Sequence, residues 1–295
     1  MYKDEIAPYL AAYFASLDES KLSRVLRYAV EGGKGIRGFI VKHILETLGG
    51  PEAVRWEPIA AVELVHSASL TLDDLPSMDN DSVRRGKPST FKAFGENEAI
   101  LSTWYVGSEA IRVLFHALCT LPYDKEDPYS HIRRAIDWWC ELIGRRIVVG
   151  QLLDLKDEAA EYFGGDVVPT GGELCERIIE YKTCSLFSFA FILGAVFSGK
   201  GDYLDDFKML GQYFGMMYQL MDDELDRDQD SQRVNYILNQ GRDKACSKYM
   251  AARMAFIRLL KKHGLLTERF ITLVKVIDSR FGLGTASAEA ILKPQ

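Results

Sequence analysis

Two stretches of this sequence crowd carboxylates just after an apolar run. The first reads Leu72-Asp73-Asp74-Leu75-Pro76-Ser77-Met78-Asp79-Asn80-Asp81, and the second reads Asp222-Asp223-Glu224-Leu225-Asp226. Carboxylates at this density repel one another and sit badly beside a core unless something cationic binds them. Hard oxygen donors suit Mg²⁺, which keeps part of its water shell and shares the oxygens of a bound phosphate. Asp222 and Asp226 are four residues apart, so on a helix they share a face. In the first stretch Pro76 disfavours a helix continuing through Leu75, so the chain can bend and return Asp79 towards Asp73. One such cluster is ordinary for a solvated helix end. Two of them, accompanied by the cations that follow, point to a metal-and-phosphate site.

The cations come in groups. Lys34 and Arg37 follow Gly32-Gly33 and stand three apart, able to face the same way. Arg84-Arg85-Gly86-Lys87 follows the first acidic stretch, and Lys182-Thr183 precedes the longest apolar run. His66 lies seven residues before Asp73, near the same helical face. Taken singly, each would be a surface charge or a satisfied core histidine. Together they predict an anion-binding neighbourhood.

These residues need elements to hold them, and the apolar spacing is helical almost throughout. Leu22, Val25, Leu26, Ala29 and Val30 form one stripe, ended by Gly32-Gly33. Further helical segments are expected over Ile59–Leu72, Ala99–Leu118, His131–Leu155, Glu173–Phe197, Tyr203–Leu225 and Lys244–His263. Strand-like alternation is nearly absent. The stretch Tyr162–Gly172 is the best loop candidate, yet too short to mark a domain boundary. The expectation is a single all-α domain over residues 1–295, a bundle of about ten helices with an elongated apolar cavity between them.

Composition narrows the partners. With 36 Lys+Arg against 42 Asp+Glu, the formal net charge is -6, which argues against nucleic acid, whose backbone attracts a basic surface. The N-terminal Met1-Tyr2-Lys3-Asp4-Glu5 lacks an apolar signal core, and the run Cys184–Phe197 reads as a buried core helix rather than a membrane span. Five scattered cysteines without a CxxC pair fit reduced thiols in a cytoplasm.

The ordered set of motifs resembles the trans-isoprenyl diphosphate synthases, also called polyprenyl synthetases. It comprises Gly32-Gly33-Lys34-x-x-Arg37, His66 with Asp73-Asp74-x4-Asp79, Arg84-Arg85-Gly86-Lys87-Pro88, Gly150-Gln151-x-x-Asp154, Lys182-Thr183 and Gln219-x-x-Asp222-Asp223-x-x-Asp226. The resemblance covers residues 25–240 or so. It implies an isoprenoid-synthase bundle that condenses isopentenyl diphosphate with an allylic prenyl diphosphate, and it implies a homodimer. Asp73, Asp74, Asp79, Asp222, Asp223 and Asp226 would hold three Mg²⁺ ions, with Asp154 assisting. Arg84 and Lys182 would hold the allylic diphosphate; Lys34, Arg37, His66 and Arg85 would hold that of isopentenyl diphosphate. Thr183 and Gln219 would turn oxygen dipoles towards the developing cation.

The sequence also departs from the family pattern. No lysine lies between Asp226 and Arg233, so Arg227 or Arg233 would have to serve, and Arg233-Val234-Asn235-Tyr236 stands where a Lys-x-Thr-Tyr-like segment is usual. Leu72 replaces a frequent histidine. For product length, the resemblance implicates Ala68 and Ser69, just before Asp73; a bulky aromatic at Ala68 would go with a fifteen-carbon product. The Ala68-Ser69-Leu70 context is similar to bacterial geranylgeranyl diphosphate synthases and implies a twenty-carbon product, whereas Trp104, with Tyr105, could form a floor and shorten it to farnesyl diphosphate. Two further readings stay open. A terpene cyclase would share the acidic motifs without needing the second diphosphate pocket, and a non-catalytic subunit of a heteromeric synthase would be expected to lose aspartates.

Overall fold

The computed structural model describes residues 2–52, 56–121, 129–155, 170–228 and 235–283. Within them the chain is helical almost everywhere, as the apolar periodicity predicts. The helices are α1 (Tyr2–Ala15), α2 (Lys21–Val30), α3 (Ile36–Leu48), α4 (Trp56–Asp73), α5 (Thr90–Phe94), α6 (Glu96–Leu118) and α7 (Ser130–Trp138), followed by α8 (Val148–Leu155), α9 (Gly171–Ile178), α10 (Cys184–Phe197), α11 (Leu204–Leu225), α12 (Tyr236–Gln240), α13 (Arg242–Lys262) and α14 (Glu268–Arg280). Side-chain caps start several of them. Ser20 accepts from the Ser23 amide at 3.1 Å to open α2, and Asn235 accepts from the amides of Ile237 and Leu238, both at 3.0 Å, to open α12.

Contacts gather into two compact units, residues 1–136 with 192–202 and residues 137–191 with 203–295. In the first, α4 packs against α1, α2, α3 and α6. Ile59, Ala60, Ala61, Val62 and Leu64 are wholly buried, which explains why this helix is apolar on every side. In the second unit the core is aromatic. Phe187, Phe191, Phe214, Phe256 and Phe270 are fully buried, and Phe191 has its ring centre 5.9–6.2 Å from those of Phe214, Phe256 and Phe270. Such ring pairs add about 0.5–1.5 kcal/mol each beyond the area they bury.

The structure adds features that periodicity did not reveal. The segments expected over 131–155 and 173–197 are each interrupted by π-helical turns, Trp139–Ile147 and Ile179–Thr183. Gly171-Gly172, expected to close a loop, instead opens α9; the rest of that candidate loop lies outside the described residues. Residues Val83–Arg84 and Lys87–Pro88 pair as a short antiparallel hairpin, β1 and β2. Helices α1, α3, α5, α12 and α14 lie outside the segments that the apolar spacing predicts. The helical run Gly171–Phe197 is long and apolar enough to cross a membrane by length and composition, but 78% of its most apolar window is buried inside the protein, as a core helix would be.

Candidate active site

In the first unit the acidic stretch hangs from the end of α4. The helix stops at Asp73, one turn short of Pro76. Leu75 then drops into a small apolar cluster with Phe91 and Ala99, flanked by Leu72 and Met78. This anchor curls the chain back on itself. The Asp79 amide donates to the Asp73 carbonyl at 2.9 Å, and Asn80, at φ 54, donates to the Leu75 carbonyl at 3.1 Å. Asp79 thus returns to Asp73, as Pro76 suggests it should.

Asp74 is almost wholly buried and is held by Arg84, whose Nε donates to its Oδ1 at 2.8 Å and whose Nη2 reaches the same oxygen. Arg84 Nη2 also donates to Asp81 Oδ2 at 2.9 Å. Burial pushes the Asp74 carboxyl upwards, and the bond to Arg84 pulls it part of the way back. The hairpin of β1 and β2 carries the remaining cations of this cluster. Arg85, at φ 56, donates from Nη1 to the carbonyls of Ala29, Val30 and Glu31 at 3.2, 3.0 and 3.3 Å, clasping the end of α2. Lys87 donates to the Tyr28 carbonyl at 2.6 Å and lies 3.7 Å from that residue's ring centre.

His66 lies with its Nε2 3.2 Å from Arg37 Nη1. Burial first, then the charges of Arg37, Arg85, Arg84 and Lys34, hold its pKa well below the ordinary histidine value. The imidazole is therefore neutral at physiological pH, and Nε2 accepts from Arg37. It orients a cation rather than adding one, a distinction the sequence does not carry. Lys34 is exposed at the loop before α3. Ala68 and Ser69 are half-buried on α4, with Ser69 Oγ donating to the His66 carbonyl at 2.9 Å. Trp104 stands apart from a cavity floor. Its side chain on α6 is 76% exposed beside Leu101 at 64%, so within this chain it closes nothing.

In the second unit α8 crosses the π-helical turn Ile179–Thr183 at Gly150. A Cβ there would lie 2.7 Å from the Lys182 amide nitrogen and 3.0 Å from Tyr181, so only glycine admits the approach. One turn on, Asp154 Oδ2 accepts from Lys182 Nζ at 2.7 Å. Gln151, which the sequence gives no role, is buried on α8, and neither its Nε2 nor its Oε1 meets a partner among the described residues.

Thr183 Oγ1 donates to Gln219 Oε1 at 2.7 Å, and Gln219 Nε2 donates to Asp223 Oδ1 at 3.0 Å. Asp223 is 2% exposed; its Oδ2 accepts from the Tyr236 amide at 2.8 Å, and its carbonyl accepts from Asn235 at 2.7 Å. It therefore ties α11 to α12, a framework role the motif does not reveal. Asp222 is half-buried and Asp226 exposed, with the Asp226 amide donating to the Asp222 carbonyl at 2.9 Å. Arg227 pairs with Glu224 at 3.5 Å; Arg233 and Val234 lie outside the described residues.

The donor set fits Mg²⁺ by its chemistry. Among the described residues no three His, Cys, Asp or Glu side chains gather closely enough to hold a metal by themselves. Mg²⁺ does not require that, because one or two carboxylates suffice when phosphate oxygens and water complete the shell. A buried acidic turn tied to arginine, and a second acidic helix end tied to a lysine-bearing turn, are arrangements able to hold phosphate oxygens through cations and bridging metal, carried here on an all-helical fold.

Comparison with known proteins gives the class its family. The family model described as polyprenyl synthetase matches residues 19–257, and the chain belongs to that family. It is 33% identical over 231 residues to the heterodimeric geranylgeranyl pyrophosphate synthase large subunit 2 of Arabidopsis thaliana, a match covering 77% of this chain and 57% of that one. It is also 33% identical over 235 residues to geranylgeranyl pyrophosphate synthase 4 of the same plant, covering 79% and 59%. The chain thus spans less than two thirds of the length of these curated relatives. Its fold is that of the geranyltranstransferase of Thermotoga maritima, with a TM-score of 0.77 at 25% identity, covering 95% of this chain and 98% of the other.

Proposed function

We propose that this protein is a Mg²⁺-dependent prenyltransferase that condenses isopentenyl diphosphate head-to-tail with an allylic prenyl diphosphate. The observation that carries this reading is the cluster of Lys34, Arg37 and Arg85 whose charges act on His66, with neutral His66 orienting Arg37 through a 3.2 Å contact. A cyclase, which takes one diphosphate substrate, has no use for it. Geranylgeranyl pyrophosphate synthases among the relatives, and a geranyltranstransferase among the solved structures, support the same reaction class.

In this reading the allylic C–O bond ionises and the diphosphate departs with the electron pair. Bound Mg²⁺, three ions in the full complement, supplies charge that stabilises the leaving diphosphate. Asp73, Asp79, Asp222 and Asp226 would be its principal ligands. Asp74 and Asp223 carry acidic charge while holding Arg84 and the α11–α12 junction. Arg84 and Lys182 meet the departing diphosphate oxygens. Thr183 and Gln219, already linked at 2.7 Å, hold oxygen dipoles in a fixed direction for the allylic cation. The isopentenyl double bond attacks that cation, and a proton from the adjacent carbon passes to the released diphosphate. Water has to be kept out, or the cation would be hydrolysed.

The small side chains of Ala68 and Ser69, half-buried on α4, support geranylgeranyl diphosphate as the product, farnesyl diphosphate being the shorter alternative. A homodimer fits the exposed apolar row on α6, Ile100 at 42%, Leu101 at 64%, Trp104 at 76% and Ile111 at 38%. Five free cysteines fit a reducing compartment such as the cytoplasm. The test of the reaction class is diphosphate release. A synthase releases it only when both substrates are present, whereas a cyclase releases it from the allylic substrate alone and an inactive subunit from neither.

A further inference from the structure

We propose that Glu63 is a positioning residue for the Lys34–Arg37–His66 pocket, fixing the first turn of α3 so that Arg37 meets its diphosphate. The proposal rests on reading that pocket as the isopentenyl diphosphate site. Helix α3 opens at Gly35, at φ 71, where no side chain caps it. The amides of a first turn have no partner inside their own helix. Here the acceptor comes from another helix: Glu63 Oε1 on α4 takes the Gly38 amide at 2.7 Å.

The fit around this bond is close. A Cβ on Gly38 would stand 3.2 Å from Glu63 Cγ, from Glu63 Oε1 and from Ile59 Cγ2, so the carboxyl fills the space a side chain would need. Glu63 is 4% exposed. Burial raises its pKa, while its bond to Gly38 and the charges of Arg37 and Arg85 favour the carboxylate. A negative group at a helix N-terminus is also in its favoured place.

Glu63 and His66 stand three apart on α4 and share a face. One fixes the backbone next to Arg37 and the other fixes its guanidinium. Arg37 is thereby held at both ends by a single helix, the one that ends in Asp73. Loss of the carboxyl would leave Arg37 with its charge but without its place. That is a loss of uniform substrate binding rather than of transition-state stabilisation.

The experiment measures steady-state kinetics for both substrates in Glu63→Ala, Glu63→Gln and Arg37→Ala. Glu63→Ala should raise the KM for isopentenyl diphosphate about tenfold, leaving kcat and the allylic KM within about threefold of the parent. Glu63→Gln keeps an oxygen acceptor for Gly38 and should recover most of that loss. If Arg37→Ala raises that KM while Glu63→Ala does not, the proposal is overturned and the pocket reading stands. If Arg37→Ala leaves it unchanged, the pocket reading falls and the proposal falls with it. A parallel collapse of kcat and both KM values in Glu63→Ala, unrescued by Gln, would show a purely structural role and overturn the proposal. Should Glu63→Ala fail to fold, Gly38→Ala decides: it presses on the carboxyl and should raise the same KM selectively, and an unchanged KM overturns the proposal.

Discussion

Lys182 and Asp154 are joined by a 2.7 Å bond, and the bond exists because Gly150 lets the two backbones touch one turn away. The π-helical turn Ile179–Thr183 displaces Lys182 and Thr183 from ordinary helical register. Such turns often mark functional sites. Gly150→Ala would force the turn from α8 and should cost about 1–3 kcal/mol of stability, as overpacking does. Because Lys182 moves with it, kcat should fall by about tenfold or more while the KM for isopentenyl diphosphate changes little. Thermal unfolding with two-substrate kinetics checks this.

The second prediction concerns pH. The folded pKa of His66 lies well below its unfolded value, through burial and the arginine charges around it. Below about pH 6.5 the unfolded chain takes up a proton that the folded chain refuses, so this residue's contribution to stability falls as pH drops through that range. His66→Gln keeps an acceptor for Arg37 and does not titrate. The loss of stability between about pH 7.5 and pH 5.5 should therefore be smaller in the variant, measured by denaturant unfolding.

The third prediction is metal dependence. Chelation of divalent ions should abolish turnover, and added Mg²⁺ should restore it. Asp73→Ala or Asp222→Ala should lower kcat by about 10²-fold or more, since each removes a proposed ligand. Near-normal turnover in chelator would remove the metal from the account.

The fourth prediction is product length. Ala68→Phe should shift output towards farnesyl diphosphate by filling space beside α4, at a stability cost of about 1–3 kcal/mol. Trp104→Ala should leave chain length unchanged, because a ring 76% exposed walls off nothing within its own chain. Product chromatography of the two variants tests both statements.

Much of this was legible from residue types alone. The two acidic stretches, the helical spacing and the return of Asp79 to Asp73 follow from carboxylate density, periodicity and Pro76. What escaped depends on contacts made at a distance in sequence. His66 reads as a possible anion binder until Arg37 is seen on its Nε2 at 3.2 Å. Asp223 reads as one more acid of a motif until the Tyr236 amide and Gln219 take its oxygens. The π-helical turns leave no mark on apolar periodicity, and α3 carries no start signal of its own because its cap comes from Glu63 on α4. Trp104 reads as a possible cavity floor because size, not exposure, is what a sequence shows.

The proposed reaction joins two diphosphate substrates into one product. The most direct measurement is mass analysis of products after incubation with Mg²⁺, isopentenyl diphosphate and each short allylic diphosphate in turn. The expected products are linear prenyl diphosphates longer than the starter by whole five-carbon units, ending at twenty carbons. Cyclic hydrocarbons formed from the allylic substrate alone, or no conversion of either substrate, would contradict it.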